Sequence, residues 1–234
     1  MSFQFKQFSV DDDLCAMKIG TDGCLLGAWA DVEGVHNILD IGAGSGVVSL
    51  MLAQRSKADV DAVEIDKDAW KQCAENFDKS PWKERLHVIH SPLQEYVKSC
   101  KKKYDLIVSS PPYFVNSMKT ACSKRKLARH TDSLTFEELI SGAKRLMNLH
   151  SKFCVIIPSD IVKQFLDIAL IEGFYTIKKM QIEPKAEAKP LRTILQMELI
   201  KKPCEQNNLA ILDKEGKLYT SEYIGLTKDF YINF

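Results

Sequence analysis

Short apolar runs alternate with amphipathic stretches along the first two thirds of the chain, and this alternation restricts the fold more than any other feature. The apolar runs lie at 37–42, 60–65, 86–90, 104–109 and 151–157. The stretches with helical spacing lie at 46–55, 67–78, 92–100, 135–148 and 159–172. Nearly continuous apolar runs of this length are typical of buried parallel strands. The pattern predicts an α/β fold in three layers, with a mostly parallel sheet between helices.

The last third of the chain has a different character. Two further predicted strands, 175–183 and 192–200, are separated by a charged loop that contains two prolines. A short connection of this kind favours an antiparallel hairpin, which we expect to close one edge of the sheet. The tail, 202–234, is rich in Tyr and Phe and is expected to pack back on the domain. We therefore expect a single domain over 1–234, with its core at 36–201.

A glycine-rich turn, Asp40-Ile41-Gly42-Ala43-Gly44-Ser45-Gly46, follows the first predicted strand. Glycine tolerates positive φ and lets a ligand approach bare backbone. A dinucleotide fingerprint, GxGxxG, would need its third glycine at position 47, where this chain has Val. An acidic residue followed by GxGxG instead resembles the signature of class I S-adenosylmethionine methyltransferases. Asp40, Gly42, Gly44 and Gly46 are therefore candidate cofactor-binding residues.

The second predicted strand ends in Val63-Glu64-Ile65-Asp66. An acidic side chain at this place can accept hydrogen bonds from both ribose hydroxyls of a nucleoside cofactor. We assign this role to Glu64, because Asp66 falls where a helix N-cap is expected. The glycine turn and this acid together predict a binding site for S-adenosylmethionine.

The fourth predicted strand runs into Ser110-Pro111-Pro112-Tyr113, which resembles the amino-methyltransferase motif [Asp/Asn/Ser]-Pro-Pro-[Tyr/Phe/Trp]. In an open α/β sheet, ligands bind beyond the carboxyl ends of the strands, so this corner should face the cofactor. The oxygen of Ser110 and a carbonyl held rigid by proline can accept the two hydrogens of a planar amine. Tyr113 can stack on a flat substrate. Ser110, Pro111, Pro112 and Tyr113 are the candidate catalytic residues.

The similarity to one bacterial family extends over nearly the whole chain. It is carried by "MKIGTDGCLLGAW" (17–29), "LDIGAGSGVVSLMLAQR" (39–55), "VDAVEID" (60–66), "NFDKSPW" (76–82), "DLIVSSPPYF" (105–114), "ARHTDSL" (128–134) and "LRTILQMEL" (191–199). The family that these stretches resemble methylates the N6 amine of the adenosine just 3′ of the anticodon in a valine tRNA. The resemblance implies a tRNA adenine-N6 methyltransferase that uses S-adenosylmethionine, with the anticodon stem-loop as its partner.

The resemblance also implies that the N-terminal segment, 1–35, covers the cofactor. Lys18 and Thr21 would lie at the methionine end of that cofactor. The chain departs from the family at two positions: Ser110 stands where Asn is usual, and Pro92 stands where an Asp usually receives the adenine amine. Ser91 or the backbone amide of Leu93 is the candidate replacement for that missing acid.

The net charge of the chain is only +1, so a binding site for a polyanion requires a local cluster of basic residues. The loop 117–130 supplies one, because it holds five basic residues and no acidic residue. We expect these side chains to contact phosphates that flank an extruded base. The candidate RNA-binding residues are Lys119, Lys124, Arg125, Lys126 and Arg129, and Arg192, Lys201 and Lys202 are further candidates for the same basic surface.

No apolar run approaches the length of a membrane span, and the N-terminal residues lack the pattern of a secretory signal. The seven cysteines are dispersed without a CxxC pair, which suits a reducing cytosol and not a metal site. We expect a cytoplasmic monomer without a metal. Two alternatives stay open at this point. One is a protein glutamine methyltransferase, which shares the Pro-Pro-Tyr corner, and the other is an RNA-binding protein that no longer transfers methyl groups.

Overall fold

The structure is a computed structural model and describes residues 2–111 and 134–234. The described strands are β1 Ser2–Gln4, β2 Ser9–Asp11, β3 Asn37–Ile41, β4 Asp59–Glu64, β5 Leu86–His90, β6 Tyr104–Ser109, β7 Met147–Pro158, β8 Tyr175–Lys185, β9 Arg192–Glu198 and β10 Glu205–Leu212. The described helices are α1 Thr21–Trp29, α2 Val47–Arg55, α3 Lys67–Lys79, α4 Leu93–Ser99, α5 Phe136–Leu146, α6 Val162–Ile171 and α7 Ser221–Thr227. The predicted alternation of strands and helices is confirmed over these ranges.

The main sheet has the strand order β10-β8-β9-β7-β6-β3-β4-β5 among the described residues. The five strands from β7 to β5 are mutually parallel, and β9 is antiparallel to both β7 and β8. The predicted hairpin is therefore present as β8 and β9. Its predicted place at the sheet edge is wrong, because β10 pairs in parallel with β8 and forms that edge. Half of β10 is polar and exposed, which hides it from an apolar pattern.

Successive residues of the central strands contribute to two different clusters of buried side chains, one on each face of the sheet. In β6, Leu106 and Val108 belong to one cluster and Ile107 belongs to the other. Helices α1 and α2 supply buried residues to the first cluster, and α5 and α6 supply them to the second. This alternation is the period of a strand buried on both faces, and it produces three layers.

Residues of the C-terminal tail, 202–234, contact the N-terminal residues of the chain. Tyr223 and Phe230 are buried in the cluster that contains α1. The Lys6 ammonium donates hydrogen bonds to the carbonyl oxygens of Lys228 and Phe234, both at 2.7 Å. The two ends of the chain therefore stabilise each other next to the sheet.

Within the two described ranges, no helix has both the length and the apolar character that crossing a bilayer would require. The same ranges contain no group of three or more His, Cys, Asp or Glu side chains arranged to hold a metal ion.

Candidate active site

A cavity of about 800 Å³ lies at the carboxyl ends of β3, β4 and β6. Its wall is formed by 15–23, 40–45, 63–66 and 91–95, together with Ser110 and Arg192. This is the place where open α/β sheets bind ligands. The volume lies within the range of small-molecule and cofactor sites, roughly 300–1,000 Å³.

Residues 42–45 of the glycine loop, 42–46, line this cavity, whereas Gly46 is not among the lining residues and lies against Phe77 and Cys73 of α3. Gly42, Gly44 and Gly46 have φ values of 74°, 55° and 82°, which L side chains rarely adopt. The Gly42 N–H donates to the Val63 carbonyl at 2.8 Å, which ties the loop to the neighbouring strand. The sequence therefore needs glycine at these three positions for the backbone turn itself, and at Gly42 and Gly44 the turn leaves bare backbone at the cavity.

The Glu64 carboxylate accepts two backbone hydrogen bonds within the cavity wall. It is buried at the end of β4, and its Oε2 accepts the Gly44 N–H at 2.8 Å. Its Oε1 accepts the Asp66 N–H, also at 2.8 Å. Each carboxylate oxygen retains a further lone pair, so Glu64 can still accept hydrogen bonds from a ligand. Asp66 itself caps α3, because its Oδ1 accepts the Ala69 N–H at 2.8 Å, which confirms the N-cap prediction.

Asp40 lies at the end of β3 and is only 1% exposed. Its Oδ2 accepts the hydroxyl hydrogen of Ser49 at 2.7 Å. The pKa of Asp40 is raised from 3.8 to about 7, chiefly by burial. The Ser49 hydrogen bond lowers this pKa, and the nearby charge of Glu64 raises it. This carboxyl therefore titrates near neutral pH, within the wall of the cavity.

Because the pKa of Asp40 is raised in the folded protein, the free energy of unfolding should depend on pH. A carboxyl whose pKa is higher in the folded state stabilises the fold at low pH, and this contribution is lost as the pH rises through the folded pKa. Relative to Asp40→Asn, the wild-type free energy of unfolding should therefore fall between about pH 4 and pH 7. Urea unfolding of both proteins across this range measures the difference. A difference that does not change with pH would contradict the prediction.

The N-terminal strap, residues 11–20, contributes residues 15–20 to the cavity wall. The Lys18 ammonium donates to the carbonyl oxygens of Asp12 and Asp13 at 2.7 and 3.2 Å, and Asp12 Oδ2 accepts the Ile19 N–H at 2.9 Å. Thr21 is the first residue of α1 and lies at the end of this strap. Both predicted residues, Lys18 and Thr21, line the cavity, and the structure adds that Lys18 holds the strap in its turn.

Ser91 and Leu93 also lie in the cavity wall, after β5. The Ser91 N–H donates to the Glu64 carbonyl at 3.0 Å, and its hydroxyl donates to the Pro92 carbonyl at 3.0 Å. Leu93 begins α4, so its N–H lacks an intrahelical acceptor, while its side chain is buried. Pro92 occupies the N-cap position without a side-chain cap. Gln94, Glu95 and the exposed Ile65 line the same region, and the sequence analysis did not single them out.

Two adjacent serines at the end of β6 have different surroundings. Ser109 is fully buried, and its hydroxyl donates to the Ile41 carbonyl at 2.8 Å, which joins β6 to β3. Ser110 is half-buried and lines the cavity, and Pro111 behind it is buried. Of the predicted catalytic corner, Pro112 and Tyr113 lie outside the described residues, as do the predicted RNA-binding residues of the loop 117–130.

Arg192 lines the cavity, whereas the sequence predicts for it only a contact with RNA. It begins β9, and its Nε donates to Asp22 Oδ2 at 2.7 Å. This ion pair joins the start of α1 to the start of β9, and both partners line the cavity. No local pattern could have indicated it, because the two partners are separated by 170 residues.

The chain matches the model of a family described as "Methyltransferase small domain" over residues 24–166. A tRNA1(Val) (adenine(37)-N6)-methyltransferase from Bacteroides fragilis is 46% identical over 98% of this chain and 97% of its own length. The enzyme of the same name from Trichodesmium erythraeum is 43% identical over 99% and 98%. The chain belongs to the tRNA1(Val) (adenine(37)-N6)-methyltransferase family.

Membership of this family confirms the resemblance that the sequence motifs carry, and it confirms the class I methyltransferase fold. A solved structure described as a predicted O-methyltransferase from Agrobacterium tumefaciens aligns with a TM-score of 0.69 at 17% identity. That alignment covers 89% of this chain and 96% of the other. At so low an identity the likeness supports the fold alone.

Proposed function

We propose that this chain transfers a methyl group from S-adenosylmethionine to the N6 amine of adenosine 37 in a valine tRNA. The observation that carries the proposal is the position of Ser110. It heads the amino-methyltransferase motif and lines the same cavity as the glycine loop and Glu64. Relatives more than 40% identical over nearly their full length bear the name of this activity. We place the reaction in the cytoplasm, with the enzyme as a monomer.

The residues around the cavity fit S-adenosylmethionine. The bound cofactor supplies an electrophilic methyl group on a sulfonium. Glu64 has lone pairs for the ribose hydroxyls, and the glycine loop allows close approach of the ligand to backbone. Ile65 offers an exposed apolar surface to a flat ring, beside Ser91 and the Leu93 N–H. In this proposal the strap, with Lys18 and Thr21, covers the methionine end.

The amine of adenine is a poor nucleophile, because its lone pair is delocalised into the ring. In this proposal the Ser110 oxygen and a carbonyl of the proline corner accept hydrogen bonds from the two hydrogens of that amine. Pro111 is buried, which restricts movement of that corner. Hydrogen bonds in this arrangement pull the nitrogen toward tetrahedral geometry and expose its lone pair. Transfer then depends chiefly on positioning, and the product ammonium is acidic enough to lose its proton to water.

Residues that lie outside the described ranges also have roles in the proposed reaction. Tyr113 would stack on the adenine, and the basic residues of the loop 117–130 would contact phosphates of the anticodon loop. An anticodon-loop base is already single-stranded, so its extrusion costs little compared with that of a duplex base. We divide the single domain into a cofactor-covering segment at 1–35, a catalytic core at 36–201 and a packing tail at 202–234.

Methyl transfer from labelled S-adenosylmethionine to total tRNA tests the proposal, with the tRNA taken from a strain that lacks this gene. The expected product is N6-methyladenosine, recovered after digestion to nucleosides. A valine tRNA transcript with guanosine at position 37 is the matched control and should accept no label. Absence of label in tRNA would favour the RNA-binding alternative. Label in glutamine side chains of protein would favour the glutamine methyltransferase.

A further inference from the structure

Asn76 is a fully buried amide of α3 that hydrogen-bonds both to the first residue of the strap and to the glycine loop. Its Oδ1 accepts the Asp11 N–H at 2.9 Å, and its Nδ2 donates to the Asp11 carbonyl at 2.8 Å. The second hydrogen of Nδ2 goes to the Ser45 carbonyl, also at 2.8 Å. Burying an amide is costly unless it is hydrogen-bonded, and here both donor hydrogens and the acceptor oxygen are satisfied.

These contacts connect parts of the site that the chain itself keeps far apart. Asp11 is the last residue of β2 and the first of the strap, and the Asn76 amide pairs with it as a neighbouring strand would. Ser45 lies in the glycine loop, next to Gly44, whose N–H donates to Glu64. Hydrogen bonds and the short backbone segment from Ser45 to Gly44 therefore connect the strap, through Asn76 and the glycine loop, to the Glu64 carboxylate.

Two neighbouring contacts of α3 reach the strap but not the glycine loop. Gln72, one turn before Asn76, accepts the Leu14 N–H at 3.2 Å. Lys79 forms an ion pair with Asp11 at 2.7 Å, but its side chain is 54% exposed, and exposed pairs contribute little. Of these three α3 side chains, Asn76 alone hydrogen-bonds to both the strap and the glycine loop.

We propose that Asn76 is a positioning residue that sets the affinity for S-adenosylmethionine by holding the strap against the glycine loop. Asn76 is not among the residues that line the cavity, so its effect must pass through the backbone at Asp11 and Ser45. The inference rests on the proposed function, because it takes the cavity to be the cofactor site. Asparagine is also a poor residue for a helix interior, so its presence in α3 is explained by these tertiary contacts.

The test compares Asn76→Ala and Asn76→Ser with Ser151→Ala as the matched control. Ser151 is as deeply buried and also makes two hydrogen bonds, to the Tyr104 carbonyl at 2.6 Å and from the Asn148 N–H at 2.8 Å. It pairs with the start of β6, at the end of the sheet opposite the cavity. The measurements are calorimetric titration with S-adenosylhomocysteine, the thermal denaturation midpoint, and kcat and KM for both substrates.

Asn76→Ala is expected to weaken S-adenosylhomocysteine binding by about tenfold, which corresponds to about 1.4 kcal/mol. The KM for S-adenosylmethionine should rise in parallel, while kcat at saturating cofactor and the KM for tRNA stay within about twofold of wild type. Ser151→Ala should lower the denaturation midpoint without changing any of these values. Asn76→Ser leaves a smaller cavity than Asn76→Ala. If the alanine variant does not fold, the affinity of the serine variant for S-adenosylhomocysteine tests the inference.

Equal affinity of the Asn76 and Ser151 variants for S-adenosylhomocysteine, at equal loss of thermal stability, would make Asn76 a purely structural residue and overturn the inference. A rise in the KM for tRNA alone would overturn it as well. If the wild-type protein itself fails to bind S-adenosylhomocysteine, the proposed function fails, which is a different result from the failure of this inference.

Discussion

Replacing Ser110 with alanine should lower kcat for methyl transfer to tRNA by about 100-fold or more, and affinity for S-adenosylhomocysteine should stay within about twofold. The side chain stands at the end of β6, half-buried, in the cavity wall. In the proposed mechanism its oxygen accepts a hydrogen bond from the adenine amine. Removal of one preorganised hydrogen-bonding group from a reaction centre typically lowers kcat by a factor of about 10² to 10³. Single-turnover methylation together with calorimetry separates the chemical step from cofactor binding.

The adjacent serine supplies the control for this prediction. Ser109→Ala removes a buried hydroxyl that donates to the Ile41 carbonyl. It should cost about 0.5–1.5 kcal/mol of stability, because a buried hydrogen bond is lost, with a much smaller effect on kcat than Ser110→Ala. Ser110→Asn supplies the residue that is usual in the family and should retain transfer. Unchanged kcat in Ser110→Ala would mean that backbone carbonyls alone hold the amine.

The parallel core of the fold can be predicted from sequence because each of its strands is buried on both faces. A run such as 104–109 is then apolar at nearly every position, and the helix that follows has its own spacing. The edge strand β10 lacks this signal. Its first residues, Glu205 to Asn208, are exposed and polar, and its partner β8 lies outside any local window. Pairing of this kind depends on the finished sheet and not on a local pattern.

The site shows the same division between local and distant determinants. The glycine loop and Glu64 are each specified by a few consecutive residues, so their positions can be predicted together from the strand ends. The pair Asp22 and Arg192 could not be predicted, and neither could the contacts of Asn76 with Asp11, which lie 65 residues apart in sequence. Such tertiary hydrogen bonds carry no periodicity, because each joins single residues of unrelated segments.

Gly46→Ala should destabilise the protein by roughly 2–5 kcal/mol and abolish measurable S-adenosylhomocysteine binding. Two effects add at this position. The φ of 82° lies in the left-handed region, which costs an L residue roughly 1–2 kcal/mol. A Cβ built there would also lie 2.7 Å from Phe77 Cε1 and 2.8 Å from Cys73 Sγ, and overpacking of this kind costs about 1–3 kcal/mol more. Urea unfolding and calorimetric titration measure both outcomes.

Gly34→Ala separates the two effects, because Gly34 has a similar φ of 69° but nothing within 4 Å of its added Cβ. It should lose only the conformational contribution, roughly 1–2 kcal/mol, and should bind S-adenosylhomocysteine as the wild type does. The difference between the two variants then reports the contact of α3 with the glycine loop. Equal losses of stability in both would mean that Phe77 and Cys73 move aside freely. In that case α3 would not hold the glycine loop rigidly. Because Phe77 and Cys73 could then make room for the added methyl group, Gly46→Ala would still bind S-adenosylhomocysteine.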